Sequence, residues 1–297
     1  MRAVVIHQTG GPDVLKVEEI PEPEASEGEV LIRVEGAGVN RFDVNQRAGG
    51  ASTFPLVMSS FGDAAGLRVD TDERVVATST PGTYSELVAA REENIFPLPS
   101  GVEPAVAASL PTPYRVAWWG LVAVGELEQG ETLLVQGGAS STGQAAIDIG
   151  KSLGARVYAT ASERRHGRLE ELGAEALAYD DPKLTELDAN VVFDPLGART
   201  FERSLEAAAR EARIVTPGAI GDPNLSFNIW TLVGKRLRVE GIAGTAAPPE
   251  TVGRLLEMVA AGELHPWVEK ELPLDQAAEA HRLIESGEVV GRVVLRP

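Results

Sequence analysis

Between positions 135 and 143 the chain reads Val135-Gln136-Gly137-Gly138-Ala139-Ser140-Ser141-Thr142-Gly143, residues too small to keep other groups away from the backbone. Small residues of this kind let main-chain N–H groups at a helix N-terminus close on a pyrophosphate, and the hydroxyls of Ser141 and Thr142 add hydrogen-bonding capacity. About 20 residues beyond Gly143, where a strand end would carry Asp or Glu for free ribose hydroxyls, stands Ser162, followed by Glu163, Arg164 and Arg165. A serine with guanidinium groups suits a 2′-phosphate, which guanidiniums grip with forked hydrogen bonds. Taken alone, the first run reads equally as a tight turn whose small residues serve packing. The arginines alone read as the solvated first turn of a helix.

The flanking pattern favours the ligand. From Thr132 onward short apolar runs alternate with helical segments: TLLVQG, a helix over about Thr142–Leu153 closed by Gly154, ARVYAT, a second helix closed by Gly173, NVVFD, a third helix, ARIVT, and LRVEG near Leu237. Strand and helix in alternation predict a parallel sheet covered on both faces, with the glycine-rich turn after its first strand. The first hundred residues differ. Val30, Ile32 and Val34 alternate with Leu31, Arg33 and Glu35, and Gly and Pro clusters cut the runs short, as in a small β domain. Pro97, Pro99, Pro104, Pro111 and Pro113 mark a joint. The tail carries a helix with Val252, Leu255, Leu256 and Val259 on one face, a short strand, a helix over about Asp275–Glu285 and a last strand.

A formal net charge of −17 over 297 residues repels phosphate backbones and anionic lipid, which argues against nucleic acid and membrane surfaces as partners. No apolar run is long enough to span a bilayer and the start lacks a signal-peptide pattern, so a soluble cytoplasmic protein is expected. There is no cysteine, and His7, His166, His265 and His281 are scattered without metal-ligand spacing, so a metal-free site is expected. His281, on the apolar side of its helix, reads as a packed structural residue. Tyr84 reads as core in preference to a proton donor, and adjacent Trp118 and Trp119 as packing in preference to a substrate wall. Asp194 ends a strand at the carboxyl edge of the sheet, where ligands bind, and equally suits a cap for the DPLG turn that follows.

The segments GGPDVLKVEEIPEPEASEGEVLIRVEGAGVNRFDVNQRAG, GTYSELV, QGGASSTGQAAIDIGKSLGARVYATAS, VVFDPLGARTFERSL and AAEAHRLIESGEVVGRVVL together resemble zinc-independent quinone oxidoreductases of the medium-chain dehydrogenase/reductase family, over nearly the whole chain. The resemblance implies an α/β protein with a Rossmann doubly wound parallel sheet, residues 114–247, inserted in a GroES-like β-barrel domain made of 1–113 and 248–297. It also implies NADPH as cofactor, quinones or activated alkenes as substrates, and often a homodimer. Asn40 matches a family asparagine close to the nicotinamide and substrate, and Asp43 the acidic residue after it, so both are candidate catalytic residues. Gly218 falls where the family backbone passes the cofactor. Tyr179 lies one position before a tyrosine that the family uses at the adenosine phosphate, so Asp180 stands in that place.

With the fingerprint, the expected cofactor set is Asn40, Gly138, Ser140, Ser141, Thr142, Gly143, Ser162, Arg164, Arg165, Tyr179 and Gly218. The chain departs from the family at Asn45, where a tyrosine is usual, at Ala139-Ser140-Ser141 inside the fingerprint, and at Val116-Ala117-Trp118. Reduction of enoyl thioesters or alkenals remains an alternative, as does a non-catalytic NADPH-binding sensor or RNA-binding protein. If the site is metal-free, activity of protein purified without metals survives chelation. Stoichiometric zinc in elemental analysis, with activity lost on its removal, would overturn this.

Overall fold

The computed structural model describes residues 1–220, 222–243 and 247–297. Its contacts divide the chain into two compact units, Met1–Thr112 with Pro249–Pro297, and Pro113–Pro248. No helix among the described residues is long and apolar enough to cross a membrane.

The first unit opens with β1 (Arg2–Ile6), β2 (Lys16–Glu19), β3 (Glu29–Gly38), the short helix α1 (Arg41–Asn45), β4 (Leu56–Val57), β5 (Gly62–Arg68), β6 (Arg74–Thr80), β7 (Leu87–Arg91), β8 (Ile95–Pro97) and α2 (Pro104–Ser109). Strand β1 pairs antiparallel with β2 and β4 in a small sheet. In β3 the alternation seen in the sequence buries Ile32 and Val34 and leaves Arg33 exposed, the pattern of a strand with one wet face.

The second unit begins within α3 (Pro111–Trp118) and contains β9 (Thr132–Val135), α4 (Ser141–Ser152), β10 (Arg156–Thr160), α5 (His166–Glu171), β11 (Glu175–Leu177), β12 (Ala189–Phe193), α6 (Phe201–Ala207), β13 (Ala208–Thr216), α7 (Ile229–Lys235) and β14 (Arg238–Gly241). The strands are parallel in the order β11-β10-β9-β12-β13-β14, the doubly wound arrangement that reverses direction at its first strand. Every residue of β9 is buried, as a strand covered on both faces requires. Its Leu133 pairs with Val157 and Val191 on the two flanking strands.

The chain then returns to the first unit through α8 (Thr251–Ala260), β15 (Val268–Pro273), α9 (Ala277–Ser286) and β16 (Arg292–Arg296). Strand β16 lies antiparallel to β3, with Val294 opposite Gly38 and Leu295 opposite Ala37, in a seven-stranded sheet ordered β15-β16-β3-β5-β6-β8 with β7 also on β3. One core joins residues from both ends of the chain, among them Ile32, Val34, Met58, Tyr84, Leu274, Val293 and Leu295.

The turn from β9 into α4 is packed without slack. A Cβ at Gly143 would lie 2.4 Å from the Gly137 carbonyl oxygen, and one at Gly138 would lie 2.8 Å from Ala159 Cβ. Backbone atoms cannot yield as a flexible side chain can, so Gly143→Ala is expected to cost about 1–3 kcal/mol of stability. Gly167→Ala on α5, where an added Cβ meets nothing within 4 Å, should instead be neutral or stabilising by up to about 1 kcal/mol. Urea unfolding of the two variants checks the contrast.

Candidate functional site

At the end of β9 the backbone turns through Gly137, whose φ of +65° is the left-handed region that glycine enters without cost. Ser140 caps α4: its Oγ accepts the Gly143 N–H at 3.1 Å and donates to the Gly137 carbonyl at 2.8 Å. Of the expected site residues in this turn, Gly138, Ser140 and Gly143 therefore shape the loop. Ser141 and Thr142 open the helix half-buried, and their N–H groups belong to the first turn, which has no intrahelical acceptors. The helix dipole adds positive potential there, at the carboxyl edge of the sheet.

Strand β10 ends at Thr160 and the chain continues through Ser162 and Arg164, both exposed, to half-buried Arg165. Tyr179, just beyond β11, lies near this group, since the charges of Arg199 and Arg165 both favour its ionised form, although burial dominates and raises its pKa. Burial, and then the neighbouring Arg164 charge, lower the pKa of Arg165. The guanidinium of Arg199, exposed in the turn after β12, stands 4.4 Å from the centroid of the Tyr179 ring, within reach of a cation–π contact. Among the described residues, none of Arg164, Arg165 and Arg199 forms an ion pair.

Sequence reasoning brought Ser162, Arg164, Arg165 and Tyr179 to one place and missed Arg199. The available signal was its position just after a strand end at the same carboxyl edge. Further along that edge a cavity of about 450 Å³ is lined by Phe201, Thr216, Gly218, Leu225 and Ile242 among others. A Cβ at Gly218 would meet nothing within 4 Å, so the backbone there faces open space. Asp194 acts as the turn cap. It is fully buried, its Oδ1 accepts from Leu196 N, Gly197 N and Thr200 Oγ1, and its Oδ2 accepts from Ser204 Oγ at 2.7 Å.

In the first unit, Asn40 and Asp43 lie in a buried polar network. The Asn40 Oδ1 accepts from Arg292 Nη1 at 2.8 Å and its Nδ2 donates to Asp63 Oδ2 at 3.3 Å. Space for the Arg292 guanidinium depends on Gly38, where a Cβ would stand 2.7 Å from Nη2. The family resemblance sets Asn40 close to nicotinamide and substrate. Here both of its ends are engaged and 4% of the residue is exposed.

Asp43, completely buried, accepts the Asn40 N–H at 2.7 Å, the Ser59 hydroxyl and the Tyr84 hydroxyl at 3.1 Å. Buried Tyr84 thus closes a polar network as well as filling core, and its Oη lies 3.3 Å from His281 Nε2. A phenol has one proton to give. With Asp43 ionised, that proton goes to the carboxylate, and His281 is the neutral Nε2–H tautomer donating to Tyr84.

A parallel sheet of dinucleotide-binding order, together with a separate and largely antiparallel sheet, defines a two-unit α/β dehydrogenase. The family described as zinc-binding dehydrogenase matches residues 172–295. Over 99% of its length the chain is 27% identical to the quinone oxidoreductase of Mus musculus, covering 97% of that protein. A solved NAD-dependent alcohol dehydrogenase is 32% identical with a TM-score of 0.92, with 100% of both chains covered. A mycobacterial protein solved in complex with NADPH is 27% identical with a TM-score of 0.90, again over 100% of both. The chain belongs to the medium-chain dehydrogenase/reductase family, in its quinone oxidoreductase branch. The matching family's description names zinc, and the residues here do not fit one: the chain has no cysteine, and among the described residues no three His, Asp or Glu side chains form a metal-binding group.

The buried pair gives the first unit a distinctive acid response. Burial raises the Asp43 pKa to about 6, against the opposing hydrogen bonds from Ser59, Asn40 and Tyr84. Burial, then the charge of Arg47, lower that of His281 to about 3. Asp43, raised in the fold, contributes stability that is full below pH 3.8 and lost as pH rises through about 6. His281, lowered in the fold, contributes stability that is present above pH 6.5 and lost as pH falls towards about 3. Between pH 6 and 4 the two oppose each other. Asp43→Asn removes the first contribution, so its stability relative to the parent should fall by about 2 kcal/mol on going from pH 7 to pH 4. Urea unfolding of both proteins at the two pH values measures it, and parallel pH curves would refute it.

Proposed function

We propose that the protein is an NADPH-dependent oxidoreductase that delivers hydride to a quinone or an α,β-unsaturated carbonyl compound. The observation that carries this reading is the cluster of Arg164, Arg165 and Arg199, without ion-pair partners among the described residues, at the edge where the β9–α4 turn offers backbone N–H groups. In a chain of net charge −17, three guanidiniums without ion-pair partners among the described residues, at the same sheet edge as a helix N-terminus, suit a ligand with several negative charges.

On this reading the first-turn N–H groups of Ser141 and Thr142 hold the pyrophosphate. Arg165 and Ser162 hold the 2′-phosphate, with Arg164 and Arg199 adding positive potential and the Arg199–Tyr179 pair walling the adenosine end. The open backbone at Gly218 borders the cavity that takes the other end of the cofactor. NADPH, when bound, supplies the hydride. The protein has to orient it, exclude water and meet negative charge developing on the substrate oxygen with fixed hydrogen-bond donors. Asn40 and Asp43 serve that task indirectly, by holding α1 through their buried network. The proton that completes the product comes from water.

The relative that is 32% identical is titled NAD-dependent, so the cofactor preference is the sharpest test. Hydrogen bonds to charged groups contribute about 1.5–3 kcal/mol. Arg165→Ala should therefore weaken NADPH binding by roughly ten- to a hundredfold and leave NADH binding nearly unchanged, as read by the fluorescence of the bound reduced nucleotide. A wild type that prefers NADH, or a variant weakened equally towards both, would overturn the assignment.

A further inference from the structure

At the carboxyl edge of the second unit's sheet, four wholly buried polar side chains stand in line across three adjacent strands, β10, β9 and β12. Gln136 follows β9, Thr160 ends β10, Asp194 follows β12 and Ser204 lies on α6. The Gly137 N–H donates to Thr160 Oγ1 at 3.1 Å, Thr160 Oγ1 donates to Gln136 Oε1 at 2.6 Å, Gln136 Nε2 to Ser204 Oγ at 3.1 Å, and Ser204 Oγ to Asp194 Oδ2 at 2.7 Å. Every donor in the series points the same way.

Charge sets that direction. An ionised carboxylate only accepts, so Ser204 has to give Asp194 its one proton and take the Gln136 amide N–H on a lone pair. The Gln136 carbonyl oxygen then faces Thr160, and the Thr160 oxygen is left to accept the Gly137 N–H. Bonds polarised in series by a terminal charge strengthen one another, and a buried network satisfied along its length specifies one arrangement. Its two ends are the two turns that an anionic ligand would use. Gly137 opens the β9–α4 turn, while Asp194 Oδ1 holds the turn that carries Arg199 through Leu196 N, Gly197 N and Thr200 Oγ1. The turns also pack together, since a Cβ at Gly137 would stand 3.1 Å from Leu196 Cδ1.

We infer that this relay sets the spacing between the α4 N-terminus and Arg199, with Gln136 and Ser204 as positioning residues and Arg199 as a specificity-determining cation. The inference rests on the NADPH reading above. Gln136 and Ser204 are wholly buried, so they act on a ligand only through the two turns that they join. The pyrophosphate meets the first-turn N–H groups of α4, and the 2′-phosphate meets a guanidinium held at a preset distance from them. A ligand with both groups then binds without reorganising either turn. NADH lacks the 2′-phosphate and uses the first anchor alone, so a slack relay costs it little.

The test is a double-mutant cycle read by NADPH and NADH binding, beside amide hydrogen exchange of the ligand-free protein. Ser204→Ala should weaken NADPH by about tenfold and NADH by less than about twofold. Arg199→Ala should show the same selectivity, and the double variant should lose no more than about tenfold, because both changes remove one contact. Gln136→Met, which keeps the side-chain length without its polar ends, should give the same pattern and stands in where Ser204→Ala does not fold. Without ligand, Ser204→Ala should speed exchange of the Gly137 and Leu196 N–H groups relative to those of β12, a local effect that a general loss of stability does not produce. Equal weakening of both nucleotides, additive losses in the double variant, or unchanged exchange at Gly137 would overturn the inference. A wild type without preference for NADPH, in which exchange at Gly137 still depends on Ser204, would overturn the NADPH reading and leave the coupling of the two turns in place.

Discussion

The approach of α4 to the end of β9 governs the second unit. With no room for a methyl group at Gly138 or Gly143, the helix starts directly above the strand, and its free N–H groups face outward at the carboxyl edge of the sheet. Everything proposed for the dinucleotide follows from that placement. The Ser140 cap consumes one hydroxyl to hold the turn, and the cationic side chains after β10 and β12 reach the same edge because the strands on which they depend flank β9 in register. The close contact costs conformational freedom, since glycine loses more on folding than any other residue. In exchange the backbone itself becomes the anion site.

The two units handle charge in opposite ways. The second holds Arg164, Arg165 and Arg199 at one sheet edge without ion-pair partners among the described residues, against the acidic background of the whole chain. The first buries Asp43, Asp63 and Arg292 together, where an isolated charge would be costly and only mutual hydrogen bonding makes burial tolerable. One result is that the amide of Asn40, bound at both ends, contributes to rigidity at the start of α1.

Much of this was legible in the chain. The fully buried strand β9 and the mostly apolar β10, β12 and β13 stand out as short runs, and the helix stops at Gly154 and Gly173 both carry positive φ. Strand β11 was not predicted, because its three residues include one fully buried apolar side chain, Leu177, too little for a period to register. Helix α7 was missed too: it buries no residue completely and exposes Trp230, Ile229 and Val233, so no apolar stripe marks it. Asp194 stood even between cap and ligand because its deciding partners, Thr200 and Ser204, lie on the turn and helix that follow. The partners of Asn40 were hidden by distance along the chain, since Arg292 stands 252 positions away. Hydrophobic periodicity reports neighbours within an element and is silent about such pairs.

The pairing of β16 with β3, and the seating of Arg292 and His281 among residues from the first third of the chain, also bears on how the protein is made. During synthesis the second unit is contiguous and can close on itself as soon as it has left the ribosome. The first unit emerges without β15 and β16, the two strands that extend its sheet beyond β3, and without the cation that faces Asp63. At translation rates of about 5–20 residues per second, the opening segment waits on the order of ten seconds or more for the final one. For that interval the nascent β domain carries an unfinished sheet edge and carboxylates lacking their buried partner, which makes it the part of the molecule for which chaperone protection matters most.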